Sequence, residues 1–267
     1  KYVIDSDLAK STKTLQFEKE FPNRFVETGI SEASAMSIAT GLASEGMIPF
    51  YVNFAIFVAG TAWTQIRQAA YANANIKMIG TCAGMDNGKD GASHHANEDI
   101  ALVRAIPYVK ILVPSNVKEM KEAIKIAIEY NGPVYIRIAR DNVPNVEFNG
   151  VPEMGKSTIV KDEGNDFACF YEGTSATIAY KGFEALKEKG YKGKLINIFS
   201  IKPLDLELIN EISEKVKCIL TIENHSIIGG IGGAIAEVLA QKPTHAPIRF
   251  IGVKDVFTES GTATEVK

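Results

Sequence analysis

Two runs decide the fold: Phe25-Val26-Glu27-Thr28-Gly29-Ile30-Ser31-Glu32, and after it Ile48-Pro49-Phe50-Tyr51-Val52-Asn53-Phe54-Ala55-Ile56-Phe57. The first is a short extended segment ending in a Thr-Gly turn, with Ser31 placed to cap a helix running to Ser44. The second opens on the apolar strand candidate Ile48 to Val52 and feeds a helix over Phe57 to Ala74. Strand, helix, strand, helix is the alternation of a mostly parallel sheet covered on both faces. Glu32, Phe54 and Phe57 then fall just past strand C-termini, where open α/β sheets hold ligands.

Working outward, Val3-Ile4, Ile76 to Gly80, Lys110 to Val113 and Val134 to Ile138 read as further strands. A helix fits Val117 to Tyr130, with Met120, Ala123, Ile124, Ala127 and Ile128 on one face and Gly132-Pro133 as its stop. Asp141 to Lys161 has no period and contains Pro144, Asn149-Gly150 and Pro152, so it reads as a connection between domains. The alternation then resumes, with strands at Ala176 to Tyr180, Leu195 to Ile198, Cys218 to Ile222 and Ile248 to Gly252. Helices fit Phe183 to Lys189, Leu206 to Lys215 and Ala234 to Gln241. The expectation is an α/β protein of two domains, each a mostly parallel sheet flanked by helices: 1–145, a linker at 146–165, and 166–267. Tyr180 passes almost directly into the next helix, so the second domain reads as shortened there.

The 267 residues suffice for two such cores. A net charge of −3 gives no basic field for a nucleic acid, and the apolar runs are far shorter than a membrane span. Cys82, Cys169 and Cys218 are odd in number and far apart, the pattern of reduced thiols in a cytoplasmic protein. Lys1 stands directly before a strand, so further residues are expected upstream.

Several groups could carry chemistry. Glu32 either complements a helix N-terminus or works as a catalytic carboxyl. Phe54 and Phe57 are either core or an aromatic wall. Gly88-Lys89-Asp90-Gly91-Ala92-Ser93-His94-His95 is the most distinctive polar cluster; a metal site there lacks further ligands at a familiar spacing. Arg140 follows a strand, where an arginine can clamp a phosphate bidentately, and Arg137 and Arg140 read equally well as surface residues. Gly229-Gly230-Ile231-Gly232-Gly233 lacks the full dinucleotide spacing and reads better as close helix–sheet packing than as a phosphate cradle.

Phe21 to Glu32, Phe54 with Phe57, Asp90 to His94, and Asp5-Ser6-Asp7-Leu8-Ala9-Lys10-Ser11 together resemble the pyrimidine-binding half of transketolases. Glu223-Asn224-His225 with its glycine-rich turn resembles their C-terminal domain. The resemblance implies that Glu32 is the catalytic glutamate that hydrogen-bonds the aminopyrimidine of thiamine diphosphate, and that Phe54 and Phe57 hold that ring. Asp7 would lie near the cofactor. Asp90 would read a sugar hydroxyl, His94 would contact the donor's oxygen and assist proton transfer, and Ser11 and Arg140 would hold the sugar phosphate. A further phosphate-binding arginine would lie before Lys1. Three positions depart from the family: Gly60 replaces a frequent tyrosine, Cys82 a common histidine, and His95 a usual glutamine.

The resemblance covers only half of such a site. No Gly-Asp-Gly…Asn segment for the diphosphate and its Mg²⁺ or Ca²⁺ appears in the chain. The expectation is therefore the C-terminal subunit of a split transketolase, paired with an N-terminal subunit in two copies of each, moving a two-carbon ketol unit between sugar phosphates. A deoxyxylulose-phosphate synthase or an oxo-acid dehydrogenase β subunit shares the half-site logic. A non-catalytic regulatory partner of the same fold, or a plain nucleotide-binding protein resting on the Gly229–Gly233 loop, are the readings from other classes.

Overall fold

The computed structural model describes residues 1–140 and 150–266. Strands β1 (Tyr2–Asp5), β2 (Phe25–Glu27), β3 (Pro49–Phe54), β4 (Lys77–Thr81), β5 (Lys110–Leu112) and β6 (Val134–Arg137) build the first sheet. β7 (Thr158–Asp162), β8 (Phe167–Glu172) and β9 (Gly193–Ile198) follow, then the short β10 (Ser200–Lys202), β11 (Ile219–Ser226) and β12 (Ile248–Val253). The strand orders are β10-β5-β6-β4-β3-β1-β2 and β12-β11-β8-β9-β7. Every pairing is parallel except β10 on β5 and β7 on β9. The two mostly parallel sheets expected from the alternation are both present.

Every residue of β3, β4 and β6 is buried, as in central strands with helices on both faces. Lys77 in β4 is tolerated because its Nζ donates to Asn75 Oδ1, Tyr130 O and Gly132 O at 2.6, 2.8 and 2.8 Å. Helix Val117–Glu129 has a reciprocal cap: Asn116 Oδ1 accepts from the Glu119 N–H at 2.9 Å, and Glu119 Oε2 accepts from the Ser115 N–H at 2.6 Å. Its Ala123 and Ala127 face inward.

The domains share one apolar core. A continuous set of buried side chains runs from Ile4, Tyr51 and Ile111 into Phe170, Ile198 and Ile209. β10, supplied by the second domain, completes the edge of the first sheet.

Several expectations are corrected. Ala176–Tyr180 is not a strand but the start of helix Ala176–Glu188, with Ala176, Ala179 and Phe183 buried on one side. Thr177, Ile178 and Tyr180 favour strands locally, but the tertiary burial follows the helical period. The strand in question is β8, buried throughout. The turn expected to be missing after Tyr180 is Gly173–Ser175, so the domain is not shortened there. The helix read over Phe57 to Ala74 is a π-helical turn, Phe57–Thr61, followed by an α-helix, Trp63–Tyr71. β7 lies inside the stretch read as linker and forms an antiparallel edge. The boundary near Asn145, with Pro144 and Asn149, lies outside the described residues.

Candidate active site

Loops leaving the C-terminal ends of β1, β2, β3, β4 and β6 carry Asp7, Glu32, Phe54 with Phe57, Asp90 with His94, and Arg140. Because β3 ends at Phe54 and turns at once into Phe57–Thr61, the two rings lie together, 6.1 Å apart and 17° from parallel. The loop after β4 returns over them, and His94 sets its edge against both rings at 6.3 and 5.4 Å. Its Nδ1 is 2.9 Å from Ser93 Oγ, which fixes the ring and leaves Nε2 as the nitrogen open to a ligand.

Arg140 Nη1 donates to Asn87 Oδ1 at 2.9 Å and lies 3.8 Å from Asp90 Oδ2, with both charged side chains half-exposed. Asn87 Nδ2 donates to the His94 carbonyl at 3.2 Å. Asp90 and His94, expected from one motif, and Arg140, expected from another, therefore form one connected group.

Glu32 is half-buried and is the first residue of helix Glu32–Ser44, where a negative charge is favoured. Its charge adds to the burial that pushes the Tyr51 phenol up to about 12. Ser31 precedes the helix as expected, but it does not cap it: its Oγ donates to the Thr28 carbonyl at 2.8 Å.

Asp7 is exposed with a left-handed φ of 61°. Glu27 Oε1 accepts from both the Asp7 and Gly29 N–H groups at 2.8 Å, joining the loop after β1 to the loop that leads to Glu32. Buried Asp5 accepts from the Leu8 N–H and from the Thr12 and Thr14 hydroxyls, each at 2.8 Å. Burial raises the pKa of its carboxyl. Asp5 thus fastens the short helix Ala9–Thr12, on which Ser11 is exposed.

Other singled-out residues separate from this group. Cys82 is buried, and burial pushes its thiol up to about 11, which makes it a poor nucleophile. His95 diverges from His94: it is buried, and its Nδ1 is 2.5 Å from Thr258 Oγ1 in the C-terminal segment. Among the described residues no group of three or more His, Cys, Asp or Glu side chains could hold a metal. Arg137 is wholly buried against Asp99 and Glu172 at the domain boundary. In the glycine-rich loop, Glu223 accepts from the Ile231 and Gly232 N–H groups at 2.7 and 3.2 Å. An internal carboxyl group thus takes the place a bound anion would occupy. A Cβ on Gly230 would clash with it, which is the close packing expected there.

The sequence reading missed Asn87, Asp86 and Glu27. The first two sit in Met85-Asp86-Asn87-Gly88, a polar run just before the Asp90–His94 motif, and that adjacency was the available signal.

Residues 2–146 match the transketolase pyrimidine-binding domain, and residues 155–267 match the transketolase C-terminal domain. The chain belongs to the transketolase family. It is 40% identical to a transketolase C-terminal section from Methanocaldococcus jannaschii, over 99% of this chain and 84% of that protein. It is 34% identical to one of the subunits of an apulose-4-phosphate transketolase from Phocaeicola vulgatus, over 98% of this chain and 84% of that subunit. A solved split-gene transketolase, an inactive beta4 tetramer, superposes with a TM-score of 0.89 at 40% identity, covering 99% of this chain and 85% of that one. As a transketolase-family chain it brings its stacked phenylalanines, edge-on histidine and Asp–Arg pair to one rim of the first sheet.

Proposed function

We propose that this chain is the C-terminal subunit of a split, thiamine-diphosphate-dependent transketolase. It would transfer a two-carbon ketol unit from a ketose phosphate to an aldose phosphate, and only together with an N-terminal subunit. The observation that carries the reading is the meeting of Phe54 and Phe57, at the end of β3, with His94 from the loop after β4, on the rim that also bears Glu32 and Arg140. Relatives that are themselves a C-terminal section and one subunit of a larger enzyme support a second polypeptide. That N-terminal subunit would carry the site for the diphosphate and its Mg²⁺ or Ca²⁺. The assembly would hold two copies of each subunit.

The residues present fit the aminopyrimidine end of the cofactor. Phe54 is already stacked with Phe57, and their faces suit a flat aromatic ring. Glu32 supplies a half-buried carboxyl that would share a proton with a ring nitrogen. When bound, the cofactor supplies an electron sink for cleavage beside a carbonyl. His94 Nε2 would hold or pass a proton at the donor's oxygen, Asp90 would accept from a sugar hydroxyl, and Arg140 and Ser11 would bind the phosphate. Asp7 would stand near the cofactor.

The test is ketol transfer from xylulose 5-phosphate to ribose 5-phosphate by this chain mixed with its N-terminal partner, thiamine diphosphate and Mg²⁺. Turnover that requires both chains is the expected result. A stable complex that turns over no ketose would overturn the catalytic reading and leave a non-catalytic half.

A further inference from the structure

Among the hydrogen bonds that cross the domain boundary, those to the loop after β4 centre on one residue of the second domain. Asn224, in β11, is 1% exposed. Its Oδ1 accepts from the Met85 N–H at 3.0 Å, and its Nδ2 donates to Asp86 Oδ1 at 2.9 Å and to Ala83 O at 3.3 Å. One amide thus satisfies three groups of the loop that follows β4. The fit leaves no spare room: Gly84, at a φ of 60°, faces Asn224 so closely that any Cβ would clash.

Asn224 is itself held from behind. Its N–H donates to Glu172 Oε1 at 2.8 Å, and its carbonyl accepts from Arg137 Nη2 at 2.8 Å. In front, the loop it grips holds the ligand-facing groups. Asp86 Oδ2 accepts from the Arg140 N–H at 2.8 Å. Asn87 accepts from the Arg140 guanidinium at 2.9 Å and donates to the His94 carbonyl at 3.2 Å. Glu32, Phe54 and Phe57 leave from β2 and β3 and receive none of these bonds.

The geometry points to Asn224 as a positioning residue through which the C-terminal domain sets the placement of Arg140 and His94, and so the sugar end of the site. This rests on the transketolase reading only for the identity of the ligand. Loss of the amide should loosen the loop after β4, weaken the donor more than the chemistry, and leave cofactor binding alone.

The experiment is amide hydrogen exchange on the full chain, alone and with its partner, for wild type and Asn224→Ala, followed by steady-state kinetics and thiamine diphosphate titration. The expected result is exchange at Met85 to Asn87 about 10-fold faster, with helix Ala176–Glu188 unchanged as a control. Donor KM should rise by roughly 10-fold while kcat falls less than about 3-fold and cofactor Kd stays within about 2-fold. A second test exchanges the two side chains. N224D places a carboxylate against Asp86 and should loosen the loop, whereas N224D combined with D86N should return the Met85–Asn87 exchange to within about 3-fold of wild type. If Asn224→Ala does not fold, this exchange decides the matter.

Unchanged protection at Met85 to Asn87, or no rescue in the swapped pair, overturns the proposal. So does a loosened loop in an active complex whose donor KM is unmoved. A wild-type complex inert toward every ketose, with the same loosening on Asn224→Ala, would sink the transketolase reading while supporting the positioning role.

Discussion

Arg137 Nε lies 2.8 Å from Asp99 Oδ2, and solvent reaches neither side chain. The same guanidinium meets Glu172 Oε2 at 3.2 Å and Thr174 Oγ1 at 2.8 Å, so two carboxylates from different domains share one buried cation. Tyr135 Oη donates to Asp99 at 2.7 Å and completes the arrangement. Removing the cation leaves buried negative charge without compensation, which typically costs about 3–5 kcal/mol. We therefore expect Arg137→Met to lower the urea unfolding free energy by roughly that amount. A loss below about 1 kcal/mol would mean the cluster contributes little to stability.

Glu32 carries the catalytic prediction. Glu32→Ala in the assembled complex should reduce kcat by at least about 100-fold, the usual scale for a lost acid–base group. The melting temperature should barely move, because Glu32 is only half-buried. Turnover within a few-fold of wild type would remove Glu32 from the mechanism.

Glu223 predicts a pH dependence. Burial pushes its carboxyl up to about 8 from 4.5, against the lowering effect of the Ile231 and Gly232 amides. Between those values the folded chain keeps a proton that the unfolded chain has released, so rising pH favours unfolding. The stability tied to this group is full below the lower value and is lost as pH climbs to the upper one. Urea midpoints of Glu223→Gln should accordingly fall less than those of wild type between about pH 5 and pH 8. Equal slopes in the two proteins would rule the linkage out.

Gly60 tests the aromatic wall. It is exposed, and a Cβ there would meet nothing within 4 Å, so a larger side chain has room within this chain. Gly60→Tyr should alter stability by no more than about 0.5 kcal/mol and tighten thiamine diphosphate several-fold in the complex. An unchanged or weaker cofactor Kd would show that the wall does not extend to this position.

Much of the fold and rim could be read from the sequence, because their signals are local. The apolar runs ending near Glu27 and Val52 mark strands, the second running on to Phe54, and Glu32, Phe54 and Phe57 each sit within a few residues of such an end, while Asp90 and His94 stand in a distinctive polar motif. What escaped depends on distant partners. The roles of Arg137 and Asn224 emerge only once residues 35 and 138 positions away are brought beside them. Ala176–Tyr180 misled because its strand-favouring residues sit on a helix whose inward face is the alanines. β10 is three residues long, too short to show any period.

That short strand has a consequence for how the chain can be cut. β5 is bordered on one side by β6 and on the other by β10, which arrives from beyond residue 199. A fragment ending after the first domain would bare the polar backbone of β5 along a whole edge, an open invitation to foreign strands and to aggregation. During synthesis the first sheet stays unfinished until much of the second domain has left the ribosome. The two domains therefore form one inheritable unit, and recombining them separately with other proteins would have to carry β10 along with the first.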